Sequence, residues 1–295
     1  MKYKIVITGA SGFVGSNLTR FFLDQNYQVN IIARNNSDLT HLNYNNNLKI
    51  FRYNNDLNNL ISFFKEANPI CTFHLASNFI AEHNSSQIDG LVASNIGFGL
   101  HLLEAMKEAN VKTLINTGTS WQHYLNEDYN PVSLYAATKQ AFESLIEYYV
   151  QAEEFKVITL KLFDTYGETD TRPKLINLLN QYARNNTELK LSPGDQMINL
   201  VHIEDLCIAY KIAMELVVDM IKGTHQKFVI KHCNSYTLKQ VISVFEKVSN
   251  KKLNILWGGR QYRKREVMQL WDKGEVLPNW DARISLEEGI SKFKI

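Results

Sequence analysis

The sequence predicts an α/β protein, a doubly wound parallel sheet carrying a smaller C-terminal α/β lobe. Short apolar runs alternate with longer amphipathic segments through the first half of the chain. The runs are rich in Ile, Val and Leu without polar alternation, as parallel strands covered on both faces should be. A glycine turn also follows the first run directly.

Taken in order, strands are expected over residues 4–8, 29–33, 48–52, 70–75, 111–117 and 157–162. Amphipathic stretches separate them, among them Leu100-Leu103-Met106-Ala109 and Leu145-Tyr148-Tyr149. Strand–helix–strand repetition implies right-handed crossovers and hence the doubly wound sheet. After about Tyr166 the pattern loosens, with Pro173, Asn185-Asn186 and Pro193-Gly194 as punctuation. A helix is then expected over 203–220, a strand over 228–231 and a helix from Thr237. Residues 1–165 should therefore build the sheet domain, with return segments near 198–230. Residues 166–197 and 231–295 should form a lobe over the carboxyl edge of the sheet.

At 295 residues the chain suffices for one large α/β unit or two smaller units sharing a core. A net charge of +2, from 32 basic and 30 acidic residues, gives no reason to expect nucleic acid or an acidic membrane as partner. Nor is there a basic stripe with interleaved aromatics. Met1-Lys2-Tyr3-Lys4 has the charge of a secretory leader, but the apolar run behind it ends at Ile7. No apolar stretch is long enough to span a bilayer. Cys71, Cys207 and Cys233 are scattered, without a C-x-x-C pair, and read as buried thiols in a reducing compartment. The expectation is a cytoplasmic protein. Asn45-Asn46-Asn47 reads as a loop. The histidines lack metal-site spacing and His74 reads as packed, so no metal is expected. There is no G-x-S-x-G elbow for a serine hydrolase.

The turn Gly9-Ala10-Ser11-Gly12-Phe13-Val14-Gly15 joins an apolar strand to a helix start. Gly9 permits the tight turn, Gly12 lets backbone approach a pyrophosphate, and Gly15 lets the helix pack on the strand. Phosphates then meet a helix N-terminus, where free N–H groups and the dipole favour anions. An acid near the end of the second strand holds the ribose 2′-hydroxyl of NAD; this strand ends Ile32-Ala33-Arg34 instead. Arg34 suits a 2′-phosphate and so NADPH, with a solvated surface arginine as the other reading. Asp56-Leu57 follows the third strand and suits the adenine, with an N-cap as the competing role of the Asp.

Tyr135 and Lys139 lie four apart on a strong helix and share one face. A nearby ammonium should lower the phenol from its usual value of about 10. Upstream, Thr117-Gly118-Thr119-Ser120 places hydroxyls at a strand's carboxyl end, either to bond a substrate oxygen or to satisfy their own turn.

These pieces, with His74-Leu75-Ala76-Ser77, resemble in order and spacing the extended short-chain dehydrogenase/reductase family of Rossmann enzymes. The segment from Leu160 to Gly167 is similar to that family's strand entering the substrate lobe, with Asp164 where Asn is usual. Val201-His202-Ile203-Glu204-Asp205 and the stretch from Trp280 to Gly289 resemble its later motifs, with Asp281 near an expected Pro. The resemblance runs nearly the whole chain. It implies catalytic roles for Thr119, Tyr135 and Lys139. It implies cofactor contacts from Gly9, Ser11, Gly12, Phe13, Val14, Arg34, Asp56, Leu57, Leu75, Ala76, Ser77, Asn95, Thr117, Tyr135, Lys139 and Phe163.

Dehydratases of the family carry an Asp-Glu pair after the catalytic Thr; here Ser120-Trp121 stands there. Residues 163–167, Arg172-Pro173-Lys174-Leu175 and the tail from Tyr262 to Met268 look like the nucleotide 4-keto-6-deoxyhexose 4-reductases. That implies NADPH (NADH or NAD being possible) and a CDP- or dTDP-linked sugar in deoxysugar and O-antigen assembly. The sugar nucleotide would be held by Thr119, Asp164, Arg172, Lys174, Leu175 and Arg263. The basic cluster Arg260, Arg263, Lys264 and Arg265 is the candidate for its diphosphate, against a solvated charged loop. Family members often dimerise through helices near 90–110 and 133–150, so a homodimer is expected. An NAD-dependent 4-epimerase and a non-catalytic nucleotide-binding regulator are the alternatives.

Overall fold

Helices cover both faces of the central strand Lys4–Thr8 (β1), so Ile5, Val6 and Ile7 are all fully buried. The computed structural model describes residues 3–42 and 46–294; Met1 and Lys2 of the N-terminal stretch and Asn45 of the asparagine run lie outside these. Phe13–Asp24 (α1) leads to Gln28–Arg34 (β2) and Leu48–Tyr53 (β3), and Leu57–Ala67 (α2) to Cys71–His74 (β4). Ile88–Val92 (α3), a π turn at Ala93–Gly97 and Phe98–Glu108 (α4) precede Thr113–Thr119 (β5). The long helix Leu134–Glu153 (α5) precedes Lys156–Leu162 (β6).

The chain then leaves the sheet through Asp164–Tyr166 (β7), Leu175–Asn185 (α6), Leu189–Leu191 (β8), Met197–Ile198 (β9) and Leu200–His202 (β10). It returns with Ile203–Asp219 (α7) and Thr224–Ile230 (β11), and ends in Tyr236–Thr237 (β12), Leu238–Ser249 (α8), Ile255–Trp257 (β13) and Leu286–Ser291 (α9). Among the described residues the main sheet has seven strands, ordered β11-β6-β5-β4-β1-β2-β3, with every neighbouring pair parallel. This is a Rossmann-type α/β fold. Strand order reverses between β1 and β4, and such a switch point opens a crevice beyond the carboxyl ends.

One face of the sheet packs Leu18 and Phe22 of α1 with Leu206, Tyr210 and Met214 of α7. The other packs Phe64, Leu102, Leu103, Phe142 and Ile146 from α2, α4 and α5. A third core joins Ile176 and Leu179 of α6, Val241 and Phe245 of α8, and Ile290 of α9. Short strand pairs β7–β10, β8–β13 and β9–β12 belong with this lobe.

Carboxylates in the first turn of α7 tie the lobe's end to the sheet, Glu204 by pairing with Lys292 at 2.7 Å and Asp205 through backbone N–H groups. Asp205 Oδ2, in the first turn of α7, accepts the N–H groups of Arg283 (3.1 Å) and Ile284 (2.9 Å). Trp280 Nε1 donates to the Asp205 carbonyl at 2.9 Å.

Two expectations need correction. The third strand is not buried on both faces: β3 is the sheet's outer edge, and only Tyr53 of it is buried. Cys71 and Cys207 are buried, but Cys233 is exposed, because it lies just past β11 where the chain leaves the sheet.

Candidate active site

Each glycine of the turn does a different job. Gly9 sits at φ +76°, and a Cβ there would lie 2.7 Å from the Ala76 nitrogen. A Cβ on Gly15 would lie 2.2 Å from the Gly9 carbonyl oxygen, so this position closes helix on strand. Above Gly12 the nearest atom, that same oxygen, is 3.4 Å away, which leaves its backbone approachable. Gly12 is the N-cap of α1, whose first turn has no side-chain cap bond and no acid. A helix end without its own counter-charge suits a phosphate, so the turn fits a dinucleotide. Thr8 Oγ1 fixes the turn's other wall by accepting the N–H groups of Leu75 (3.2 Å) and Ala76 (3.1 Å). With those bonds made, its O–H donates to His74 Nδ1 at 3.0 Å. Burial holds His74 down to about 3, neutral and packed.

Around the switch point a cleft of about 300 Å³ gathers residues from the carboxyl ends of β1, β4, β5 and β6, the starts of α1 and β7, and the tyrosine helix. Its wall includes Gly9, Gly12, Phe13, Val14, Leu75, Ser77, Thr117, Thr119, Tyr135, Lys139, Phe163, Asp164, Arg172 and Lys174, all expected at the site. Among the described residues, Ser11, Arg34, Asp56, Leu57, Ala76, Asn95 and Arg263 do not line it, and Leu175 lines a smaller adjoining cavity. Asp56 caps α2 by accepting the Asn59 N–H at 3.2 Å. Asn95 sits in the π turn and acts on the loop after β4. Its amide accepts from Asn78 N (2.6 Å) and donates to Asn78 O (3.0 Å) and Thr138 Oγ1 (2.9 Å). Arg34 is exposed at the end of β2.

Ser133 caps α5 and sets Tyr135 and Lys139 one turn apart in the cleft. Thr119 caps the short turn Ser120–Gln122, accepting from Trp121 N at 3.3 Å, while also lining the cleft. Thr117 Oγ1 pairs with the Tyr210 hydroxyl at 2.7 Å. Burial pushes the Tyr135 phenol above its ordinary value, against a hydrogen bond from Ser77 and the charge of Arg172. This corrects the expected lowering by Lys139, which is itself buried and pushed down to about 8, with Glu143 opposing.

Asp164 opens onto the cleft and onto two smaller cavities beside it, so its side chain is exposed. The protein ringing these openings raises its carboxyl, while Lys174, Arg263 and Arg172 pull it back. Arg172 grips Asp170 with two bonds of 2.8 Å and lies over the Phe13 ring. Of the basic cluster, Arg263 covers Trp121, Arg265 covers Tyr124, and Arg260 and Lys264 face solvent.

Phe79 of the cleft wall, and Arg52 behind the loop after β2, were not expected from the sequence, nor were Trp121, Leu162 and Thr165 of the wall. Phe79 packs edge-on against Tyr135 (5.0 Å) and carries Lys174 Nζ 4.0 Å over its ring, yet nothing in its sequence context marks it. Arg52 shapes the loop after β2 by donating to the carbonyls of Arg34 and Ser37, both at 2.9 Å. Its register position beside Ala33 was the only available signal.

Comparison with known proteins agrees with this geometry. The chain is 27% identical to CDP-abequose synthase of Yersinia pseudotuberculosis, over 90% of each protein. It is 25% identical to UDP-glucuronate 4-epimerase of Thermodesulfobacterium geofontis, covering 97% of this chain and 94% of the relative. The crystal structure of UDP-glucuronic acid 4-epimerase from Bacillus cereus, in complex with UDP-glucuronic acid and NAD, superposes with a TM-score of 0.83. That match has 22% identity and covers 98% of this chain and 96% of that one. Residues 5–229 match the model of one family. The chain therefore belongs to the NAD dependent epimerase/dehydratase family and is an enzyme of the NAD(P)-dependent oxidoreductase type.

Proposed function

We propose that the protein reduces the C4 keto group of a nucleotide-linked 4-keto-6-deoxyhexose or 3,6-dideoxyhexose with NADPH, in deoxysugar assembly for O-antigen lipopolysaccharide. The observation that carries this direction is Arg34, exposed at the end of β2 where an acid would hold the ribose of a retained NAD. An arginine there suits the 2′-phosphate of NADPH, a cofactor consumed in net reduction. Tyr135, in the cleft wall, is then the proton donor that reduction of a ketone requires.

When bound, the reduced nicotinamide supplies a hydride to the C4 carbon. Thr119 bonds the carbonyl oxygen, and Tyr135 gives it a proton as the alkoxide forms. Lys139 holds the nicotinamide ribose. The turn around Gly12 takes the pyrophosphate, while Ser11, Leu57 and Ala76 flank the dinucleotide. Arg172, Lys174 and Arg263 take the sugar nucleotide's diphosphate, and Asp164 and Leu175 take part of the CDP- or dTDP-linked substrate. Ser120-Trp121 offers no acid–base pair for eliminating water. Exposed apolar side chains at Ile88, Val92, Leu100 and Tyr148 support a homodimer through α3, α4 and α5. A cytoplasmic setting fits the substrate.

Purified protein should oxidise NADPH only when a CDP- or dTDP-linked 4-keto-6-deoxyhexose is present. No turnover, with NAD⁺ retained in the fresh preparation, sinks this reading in favour of the 4-epimerase that the likeness to UDP-glucuronate 4-epimerase suggests. Arg34→Ala should weaken NADPH about 10- to 100-fold and leave NADH nearly unchanged, since charged hydrogen bonds contribute about 1.5–3 kcal/mol. Equal losses for the two cofactors in a fluorescence titration would remove Arg34 from the 2′-phosphate site.

A further inference from the structure

Three lysines on three elements gather around one carboxylate outside the cleft. Glu143, on the buried face of α5, is only 2% exposed. Its Oε1 lies 2.9 Å from Lys227 Nζ of β11 and 3.6 Å from Lys161 Nζ of β6. Its Oε2 accepts from Gln122 Nε2 at 3.0 Å. The third lysine, Lys139, precedes it by one turn on the same buried face, also 2% exposed.

The groups packed around this quartet carry little charge of their own. Lys161 donates to His123 Nε2 at 2.8 Å, because His123 Nδ1 faces the Glu127 carbonyl at 3.1 Å. His225 lies between Thr159 (2.8 Å) and Glu147 (2.7 Å). Burial lowers both histidines, and His74, facing Lys139 from β4, is likewise neutral. Glu147 is half-exposed and shared with Lys227 at 3.4 Å. Glu143 is thus the buried anion of the group. Burial alone would raise its carboxyl, but Lys161, the Gln122 bond and Lys227 together hold it below its ordinary value.

We propose that Glu143 is a positioning residue for the Tyr135–Lys139 pair, a buried counter-charge that keeps Lys139 an ammonium facing the cleft while Lys161 and Lys227 keep Glu143 ionised. A desolvated ammonium sheds its proton readily unless an anion lies near. Glu143 lies outside the cleft wall and reaches it through Lys139 and through Gln122, whose Oε1 accepts the Thr119 N–H at 3.1 Å; only the route through Lys139 carries a titrating charge. The inference rests on the reading of Tyr135 and Lys139 as the working pair, and the test separates the two.

NADPH and NADH affinities of the full chain, read by fluorescence across about pH 6.5–9.5, provide that test. Lys139→Met should weaken binding at neutral pH and remove its alkaline decline. Glu143→Gln should bind like the parent at the acid end, with the decline setting in about one pH unit earlier. Glu143→Asp, which keeps the charge but draws it back from Lys139, should move the decline part of the way earlier, so it serves if Glu143→Gln does not fold. Unchanged affinity in Lys139→Met overturns the reading of the pair. Weakened Lys139→Met binding, with the Glu143→Gln decline unmoved (or the Glu143→Asp decline, where Glu143→Gln is unfolded), overturns the role of Glu143 alone.

Discussion

Tyr135→Phe should lower turnover of the keto sugar about 10²- to 10⁴-fold, the usual worth of one positioned proton donor. The substitution isolates the chemistry, because the ring that packs against Phe79 at 5.0 Å is kept and only the hydroxyl goes. Nicotinamide binding and thermal stability should therefore stay close to the parent. The loss should fall on kcat, since a proton delivered to the alkoxide matters only as charge develops on oxygen. Steady-state NADPH oxidation beside a cofactor titration is the measurement. Activity within a few-fold of the parent would show that the proton comes from elsewhere in the cleft.

The second large effect lies in the glycine turn, where two neighbouring glycines should fail differently. Gly15→Ala sets a methyl 2.2 Å from the Gly9 oxygen and 2.6 Å from the Gly9 carbonyl carbon. Both are backbone atoms, so α1 must slide or the turn must open. Overpacking of that kind costs about 3 kcal/mol or more, which a denaturant midpoint resolves easily. Gly12→Ala meets nothing closer than 3.4 Å and should fold normally. Its methyl nonetheless stands where a pyrophosphate approaches, so cofactor affinity should drop by about tenfold or more. A stable protein that binds poorly, next to an unstable one, separates the two roles. Equal stabilities would mean the turn yields more than its contacts imply.

Most of the sheet was legible because parallel strands buried on both faces carry apolar runs without alternation, as residues 5–7 and 31–33 do. The order of motifs placed Gly12 and Thr119 just at or past strand ends and Tyr135 and Lys139 at the start of a helix, and a switch point then gathers them. What escaped depends on neighbours distant in sequence. Lys139 lies four residues from Tyr135, and that spacing gives proximity; it gives no burial. Burial decides the sign, raising the phenol and lowering the ammonium together. Phe79, Arg52 and Glu143 look ordinary along the chain and gain their roles only when loop, edge strand or helix meets its partner. Asp56 and Asn95 also carry local bonds, Asp56 as the cap of α2 and Asn95 to the loop after β4, and for Asn95 motif position alone does not show them.

The bond from Asp205 to residues 283 and 284 has a consequence for how each molecule is made. All seven strands of the sheet are made once β11 has left the ribosome, because among the described residues beyond Ile230 only an isolated bridge at Val276 touches it. The lobe is not yet complete, since its core waits for Ile290 and its anchor for Ile284. Domains tend to fold as units while synthesis continues. A nascent chain therefore completes the sheet beneath its glycine turn, tyrosine and lysine before it completes the core that packs the helix following Arg172 and Lys174.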